Sequence, residues 1–113
     1  MTTRSERGIF KTGTSMEELH LRYYNDPEYG YPHIYKHRVT EEEVEEVLSH
    51  PGEDRNGQDG SRVAIGKTRD GRFIRIIYVP DQLERSAFII TAYELSSKPL
   101  SAYKRRLKKR GMQ

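Results

Sequence analysis

The sequence contains no cysteine, which excludes disulfides, thiolate nucleophiles and cysteine-ligated zinc sites together. This absence fits a reducing compartment. No apolar run approaches the ~20 residues that a membrane-spanning helix needs, and residues 1–11 lack the apolar stretch of a signal peptide. We therefore expect a cytoplasmic protein that has no membrane partner.

Apolar residues are also scarce, at 34% of the chain against 33% charged residues. A length of 113 residues fits one domain. We expect a thin core, built from the apolar runs at 63–65, 73–79 and 87–93. Residues 1–14 are rich in Thr, Ser, Gly and charge and predict a flexible arm, which leaves residues 15–113 as a single α+β domain.

Acidic residues are absent from the C-terminal end. Residues 98–113 hold seven Lys/Arg and no Asp/Glu, whereas residues 1–97 hold 13 basic and 17 acidic side chains. The net charge of +3 therefore hides a dipolar molecule. A basic segment of this kind favours an anionic partner such as nucleic acid.

The N-terminal half predicts helices. Ser15 and Glu18 have the spacing of a capping box, and Leu19 with Tyr23 forms a short apolar stripe, so a helix is predicted over about 15–25. Thr40 and Glu43 repeat the capping box. Because the apolar residues that follow them keep helical spacing, a second helix is predicted over 40–49.

Between these helices, Pro32 fits the first turn of a short helix that runs to about Arg38. Tyr29, Tyr31 and Tyr35 lie around it, either as packing residues or as a stacking surface. Residues 52–61 mix Gly, Asp, Asn and Gln without periodicity and predict a polar loop.

From Arg62 the pattern changes to that of strands. Two apolar segments separated by Asp70-Gly71 predict a β-hairpin, and residues 87–93 predict a third strand. Pro99 fits the first turn of a tail helix whose apolar stripe opposes a basic face. We expect a small antiparallel sheet of three to four strands, packed with N-terminal helices and a basic C-terminal helix.

Cations recur on the predicted hairpin and tail, where each phosphate contact would release counterions. Candidate nucleic-acid contacts are Lys36, Lys67, Arg69, Arg72, Lys104, Arg105, Lys108 and Lys109, with Tyr78 and Tyr103. Arg75 interrupts an apolar strand and shares a face with Phe73 and Ile77. It binds an anion, pairs with a glutamate of the helix at 40–49, or snorkels at a sheet edge.

Histidine and tyrosine are the candidate proton-transfer groups, because a ribonuclease can use His as general acid or base and cations to stabilise the pentavalent phosphate. We select His37 and Tyr93, and expect Tyr78 and Tyr103 to converge on them. His33 and His37 have no third ligand at the spacing of a zinc motif, so we expect no metal and no cofactor.

Taken in order, these pieces resemble a BrnT-type toxin of the RelE/ParE-like superfamily over roughly residues 32–108. The resemblance rests on Lys36-His37-Arg38-Val39-Thr40 before an acidic helix, Arg62-Val63-Ala64-Ile65-Gly66, Gly71-Arg72 through Tyr78, Ile89-Ile90-Thr91-Ala92, and a basic last helix. No single piece is diagnostic; their order carries the resemblance.

The resemblance implies a bacterial, RelE-like α+β toxin of a type II toxin–antitoxin system. Such a toxin cleaves RNA without a metal and is neutralised by a cognate antitoxin protein. The positions that match are Lys36 and His37 before the acidic helix, Arg62 at the start of the sheet, and Tyr78 at the end of the second strand.

Three hypotheses follow. The first is a toxin-like ribonuclease in which Arg62, Arg75 and the tail hold RNA while His37 or Tyr93 moves a proton. The second is a non-catalytic module that grips single strands with its cations and tyrosines. The third is a protein-interaction domain whose opposed charges drive head-to-tail association, with a homodimer left open.

Overall fold

A five-stranded mixed sheet forms the centre of the fold, with the strand order β1-β5-β4-β3-β2. The computed structural model describes residues 19–82 and 85–110. The elements, in chain order, are β1 His20–Tyr23, a 3-10 helix His33–His37, α1 Glu41–Ser49, β2 Glu53–Asn56, β3 Arg62–Lys67, β4 Phe73–Pro80, β5 Ser86–Glu94 and α2 Ser97–Lys109. The α+β class predicted from the sequence is confirmed.

The predicted hairpin is present, since β3 and β4 pair antiparallel on either side of Asp70-Gly71. Gly71 has a φ of 88°, a left-handed conformation that glycine adopts without strain. The third predicted strand is β5, which pairs antiparallel with β4 and has a register shift between Ile77 and Tyr78. The central meander therefore follows the sequence pattern.

Two predictions for other parts of the chain were wrong. Residues 20–23 form a strand, which pairs parallel with β5, and not the predicted helix. Leu19 and Tyr23 are four residues apart, a spacing that fits both a helical stripe and strand alternation. With Leu21 they pack against the core as alternate residues of an extended segment.

The second wrong prediction is the loop at 52–61, which contains β2, paired antiparallel with β3. Its residues are polar because the carboxylates of Glu53 and Asp54 are used as ion-pair partners inside the protein. The sheet consequently has five strands and one parallel pair, where three to four antiparallel strands were expected. The predicted arm at 1–14 lies outside the described residues.

One face of the sheet packs against α1. Val44, Val47 and Leu48 of this helix join Ile74 and Ile76 of β4 in the larger core cluster. Each such side chain contributes about 1.5–3 kcal/mol when it is removed from water. Thr40 and Glu43 form the predicted capping box, since each side chain accepts a hydrogen bond from the other residue's backbone N–H.

The opposite face is covered by α2 at one end. Tyr103 packs there with Ile65 and Leu95, and Phe73 borders this smaller cluster. Because alternate residues of a strand point to opposite faces, Phe73 and Arg75 of β4 share this second face. This is the face on which the candidate site lies.

The short 3-10 helix adjoins β5 and ends at Arg38, whose φ is 60°. Its Ile34 is buried in the larger core cluster, so the other side chains of the helix are held at the surface. In the described part of the chain, no helix is long and apolar enough to span a bilayer.

Candidate nucleic-acid interface

His37, Arg75 and Tyr93 come together from the 3-10 helix, β4 and β5. Arg75 and Tyr93 are directly opposite each other on neighbouring strands, and the Arg75 guanidinium carbon lies 6.0 Å from the centroid of the Tyr93 ring. The His37 ring meets Tyr93 edge-on, with 5.9 Å between centroids. Three of the four catalytic candidates therefore form one cluster.

Within the described residues, Arg75 has no acidic partner, and its Nε is buried without a hydrogen bond. The alternative that it pairs with a glutamate of α1 is wrong, because Arg75 lies on the face of the sheet opposite α1. Arg72 takes that role, and its Nη1 donates to both carboxylate oxygens of Glu43 at 2.9 Å. A buried N–H without an acceptor is costly, so Arg75 is suited to bind an anion.

His37 lies next to a second histidine, with 5.2 Å between the centroids of its ring and the His33 ring. Partial desolvation lowers the pKa of His37 below its ordinary value, and the charges of His33 and Lys36 act in the same direction. His37 is therefore mainly neutral near pH 7. A neutral imidazole can accept a proton, as a general base must.

Asp26 contacts two residues of the 3-10 helix that carries His37. Its buried carboxylate lies 3.4 Å from His33 Nδ1 and 3.2 Å from Lys36 Nζ, and it accepts a hydrogen bond from the backbone N–H of Glu28. That backbone bond, assisted by Lys36 and opposed by burial, holds the pKa of Asp26 below its usual range. Lys36 is thus paired with Asp26, and its Nζ also lies 5.2 Å from the centroid of the Tyr29 ring.

Arg62, the fourth catalytic candidate, lies in a separate network around Asp54. Its Nε donates to Asp54 Oδ1 at 2.9 Å and its Nη1 to Asn56 Oδ1. Tyr78 donates its phenol O–H to Asp54 Oδ2 at 2.6 Å. Burial of Tyr78 and its bond to the carboxylate raise its pKa far above the ordinary value. Arg62 therefore stabilises the β2–β3 end of the sheet, apart from the cluster at His37.

The expected convergence of three tyrosines holds only for Tyr93. Tyr78 is 0% exposed and lies in the core cluster of α1, while Tyr103 is 2% exposed in the cluster of α2. Both side chains are buried, so neither phenol is available at the surface beside His37.

The remaining candidate cations fall into two groups. Arg69 pairs with Glu46, and Arg72 with Glu43 and Glu94. The candidates without an acidic partner among the described residues are Lys67, Lys104, Arg105, Lys108 and Lys109. No described carboxylate competes for these unpaired cations.

The described residues 19–82 and 85–110 contain no group of three or more His, Asp or Glu side chains arranged to hold a metal ion. His33 and His37 are neighbours, and the Asp26 carboxylate beside His33 is shared with Lys36.

Sequence reasoning missed three acidic residues that form ion pairs inside the protein. Asp26 lies just past the helix predicted over 15–25 and was given no role in an ion pair, and Glu53 and Asp54 were assigned to the loop at 52–61. Glu53 accepts two hydrogen bonds from Arg106, at 2.6 and 2.9 Å. In the sequence, the only signal of a partner such as Glu53 was the spacing of Arg106 and Arg110, which places both residues on one side of α2. Phe73 was also missed as part of the site.

The fold and the site define a small α+β protein with unpaired cations and aromatic rings on one sheet face. Residues 33–94 match a family described as Domain of unknown function (DUF4258), and because the match covers more than half of the chain, the protein belongs to this family. The matched segment contains His37, Arg75 and Tyr93. No curated protein and no solved structure gave a significant match.

Proposed function

We propose that this protein is a metal-independent endoribonuclease that cleaves single-stranded RNA. The observation that carries the proposal is the meeting of His37, Tyr93 and the unpaired Arg75 on one edge of the sheet. A proton acceptor, a proton donor and a fixed cation are the groups that RNA cleavage by its own 2′-hydroxyl requires.

In this reaction neutral His37 removes the proton from the ribose 2′-hydroxyl. The 2′-oxygen forms a bond to the adjacent phosphorus, and the bond between phosphorus and the 5′-oxygen breaks. Tyr93 donates its phenol proton to the leaving 5′-oxygen. The products are a 2′,3′-cyclic phosphate and a 5′-hydroxyl, and proton exchange with water restores both side chains.

Arg75 stabilises the negative charge that develops on the phosphate. Its position is fixed by the β4 strand and by the ring of Tyr93, and no described carboxylate competes for its guanidinium. A cation that is already oriented stabilises a transition state without reorganisation, and removal of one such donor commonly costs about 10²–10³ in rate.

The biological setting we propose is that of a RelE-like toxin with a cognate antitoxin. Support comes from the resemblance of residues 32–108 and from the unpaired cations of α2, which an acidic segment of an antitoxin would cover. Covering this helix would block RNA and neutralise the enzyme.

A second candidate function is non-catalytic binding of single strands, and the tyrosine stack favours it. The rings of Tyr29 and Tyr31 are stacked, with 5.4 Å between centroids and an interplanar angle of 13°. Tyr35 follows at 5.9 Å. All three side chains are exposed, as rings that stack on unpaired bases must be.

The test is incubation of the protein with labelled single-stranded RNA in EDTA, which inactivates contaminating metal-dependent nucleases. His37→Ala, Tyr93→Phe and Arg75→Ala are compared with the wild type, and cleavage and binding are scored separately. His50→Ala is the matched control, because His50 is an exposed histidine at the end of α1, which packs on the face of the sheet opposite Tyr93.

We expect cleavage by the wild type and by His50→Ala, a large loss in the other variants, and RNA binding that survives His37→Ala and Tyr93→Phe. Binding without cleavage in the wild type would favour the second candidate. Cleavage retained in all three site variants would refute the ribonuclease proposal at this site.

A further inference from the structure

Two lysine ammonium groups from different elements lie over the ring of Phe73. Lys67 Nζ of β3 lies 5.6 Å from the ring centroid, and Lys104 Nζ of α2 lies 5.2 Å from it. Phe73 is itself half-buried and packs edge-on against Tyr103, with 6.0 Å between ring centroids. The ring is thus a fixed platform that holds two cations beside it.

These two lysines repel each other. Their distances to one ring centroid put the ammonium groups at most about 11 Å apart, which is about the Debye length at 0.1 M salt, so this repulsion is partly screened. Neither has an acidic partner in the part of the chain that the structure describes. An anion bound between the two ammonium groups would remove this repulsion.

The pair lies beside the proposed cleavage site. Phe73 and Arg75 are alternate residues of β4 on the same face, so their Cα atoms are about 7 Å apart. Tyr93 follows on the neighbouring strand, opposite Arg75. The second face of the sheet therefore presents cations at two adjacent positions, first at Phe73 and then at Arg75.

Contacts between α2 and the sheet hold the part of the helix that carries Lys104. Arg106, two residues further along α2, is bound by both carboxylate oxygens of Glu53 on β2. Tyr103 is buried under the same helix. Because α2 is anchored at these points, the ammonium group of Lys104 is held near the sheet, which reduces the entropy lost on binding a ligand.

We propose that Lys67 and Lys104 form a second phosphate subsite, which holds the phosphodiester next to the one bound at Arg75. The proposal rests on the proposed ribonuclease function and defines its substrate further. The ligand is a single-stranded RNA with at least two consecutive phosphates in contact with the sheet.

The test uses a fluorescent 2′-O-methyl oligoribonucleotide, which lacks the attacking 2′-hydroxyl and so reports binding without cleavage. Dissociation constants are measured against salt for the wild type, Lys67→Gln, Lys104→Gln and the double variant. Lys98→Gln is the matched control, because it removes the same charge from an exposed position of α2 that contacts no described ring. Thermal unfolding confirms that each variant folds.

We expect each subsite variant to weaken binding about 5- to 10-fold at low salt. We also expect the affinity of the double variant to fall less steeply with salt. The slope of log affinity against log salt should be about 0.7 smaller in magnitude, the value for one lost single-strand phosphate contact. Lys98→Gln should leave the slope unchanged. With cleavable RNA, the double variant should raise KM and leave kcat nearly unchanged.

Equal effects of Lys104→Gln and Lys98→Gln would overturn the subsite and leave the ribonuclease proposal intact. In another outcome, an acidic peptide displaces the oligonucleotide from the wild type but not from the double variant, while both proteins bind RNA equally well. That result would assign the lysine pair to a protein partner instead. Absence of both RNA binding and cleavage in the wild type would overturn both proposals.

Discussion

Arg106 of α2 and Glu53 of β2 form a two-point ion pair, with Nε–Oε2 at 2.6 Å and Nη2–Oε1 at 2.9 Å. The Glu53 side chain is 4% exposed and the Arg106 side chain 35%. Burial opposes ionisation of Glu53, but the hydrogen bonds and charge of Arg106, with Arg55 and Arg110, outweigh it and lower the pKa. This pair connects the basic helix to the edge of the sheet.

Arg106→Gln should destabilise the protein by about 1–3 kcal/mol, because it leaves a buried carboxylate with weaker partners; the exposure of Arg106 reduces the effect from that of a fully buried pair. The measurement is the free energy of urea unfolding at pH 7. Arg105→Gln, an exposed neighbour on α2, should change the stability by less than about 0.5 kcal/mol.

The contribution of this pair should also depend on pH. Since the folded-state pKa of Glu53 lies below its ordinary value of 4.5, the stabilisation is complete above pH 4.5 and is lost as the pH falls through the folded-state pKa. The difference between the wild type and Arg106→Gln should therefore shrink in acid. A difference that stays constant down to pH 3 would contradict the assigned ion pair.

Tyr78→Phe should lower the free energy of unfolding by about 1.5–3 kcal/mol, because it removes a buried hydrogen bond to the charged Asp54 carboxylate. RNA affinity should not change, since the phenol is inside the protein. Binding and urea unfolding measured on the same preparation check both statements. A loss of RNA affinity in a stable variant would return Tyr78 to the interface.

His37 should titrate below pH 6.5, its ordinary pKa, because partial desolvation and the charges of His33 and Lys36 disfavour the imidazolium. Cleavage should accordingly rise with pH through this pKa and level off near neutrality. His33→Asn removes one of the repelling charges, so the midpoint should move upward. The check is an NMR titration of the His37 ring; a midpoint above 6.5 in the wild type would count against the assignment.

Tyr31→Ala should weaken single-strand binding about 5- to 100-fold if a base stacks on the tyrosines, since base–aromatic stacking contributes about 1–3 kcal/mol. A duplex of the same sequence should bind equally to both proteins, because its bases are already stacked. Fluorescence anisotropy with both probes distinguishes the cases. Equal losses for the two probes would mean that the tyrosines do not read unpaired bases.

Local signals in the sequence were sufficient for the elements that depend on neighbouring residues. The capping box of Thr40 and Glu43 predicted α1, Asp70-Gly71 predicted the hairpin, and Pro99 predicted the start of α2. Each signal acts within a few residues of the chain, where backbone hydrogen bonds and turn geometry are decided.

The strands β1 and β2 could not be predicted in the same way. The spacing of Leu19 and Tyr23 fits a helix and a strand equally, and the parallel pairing with β5 decides between them. The polar composition of β2 is typical of a loop. Its strand conformation depends on ion pairs to residues 8 and 53 positions further along the chain.

The candidate site, like the fold, could be predicted only in part from the sequence. By itself, the sequence determined which residue types were available: a histidine before an acidic helix, an arginine within an apolar strand, and an acid-free basic tail. Only the tertiary structure decided which of them meet, because strand register places Arg75 opposite Tyr93 and the 3-10 helix brings His37 to the same edge. It also assigned Arg62 to Asp54 and buried Tyr78 and Tyr103, since ion-pair partners and burial are set by contacts between distant segments.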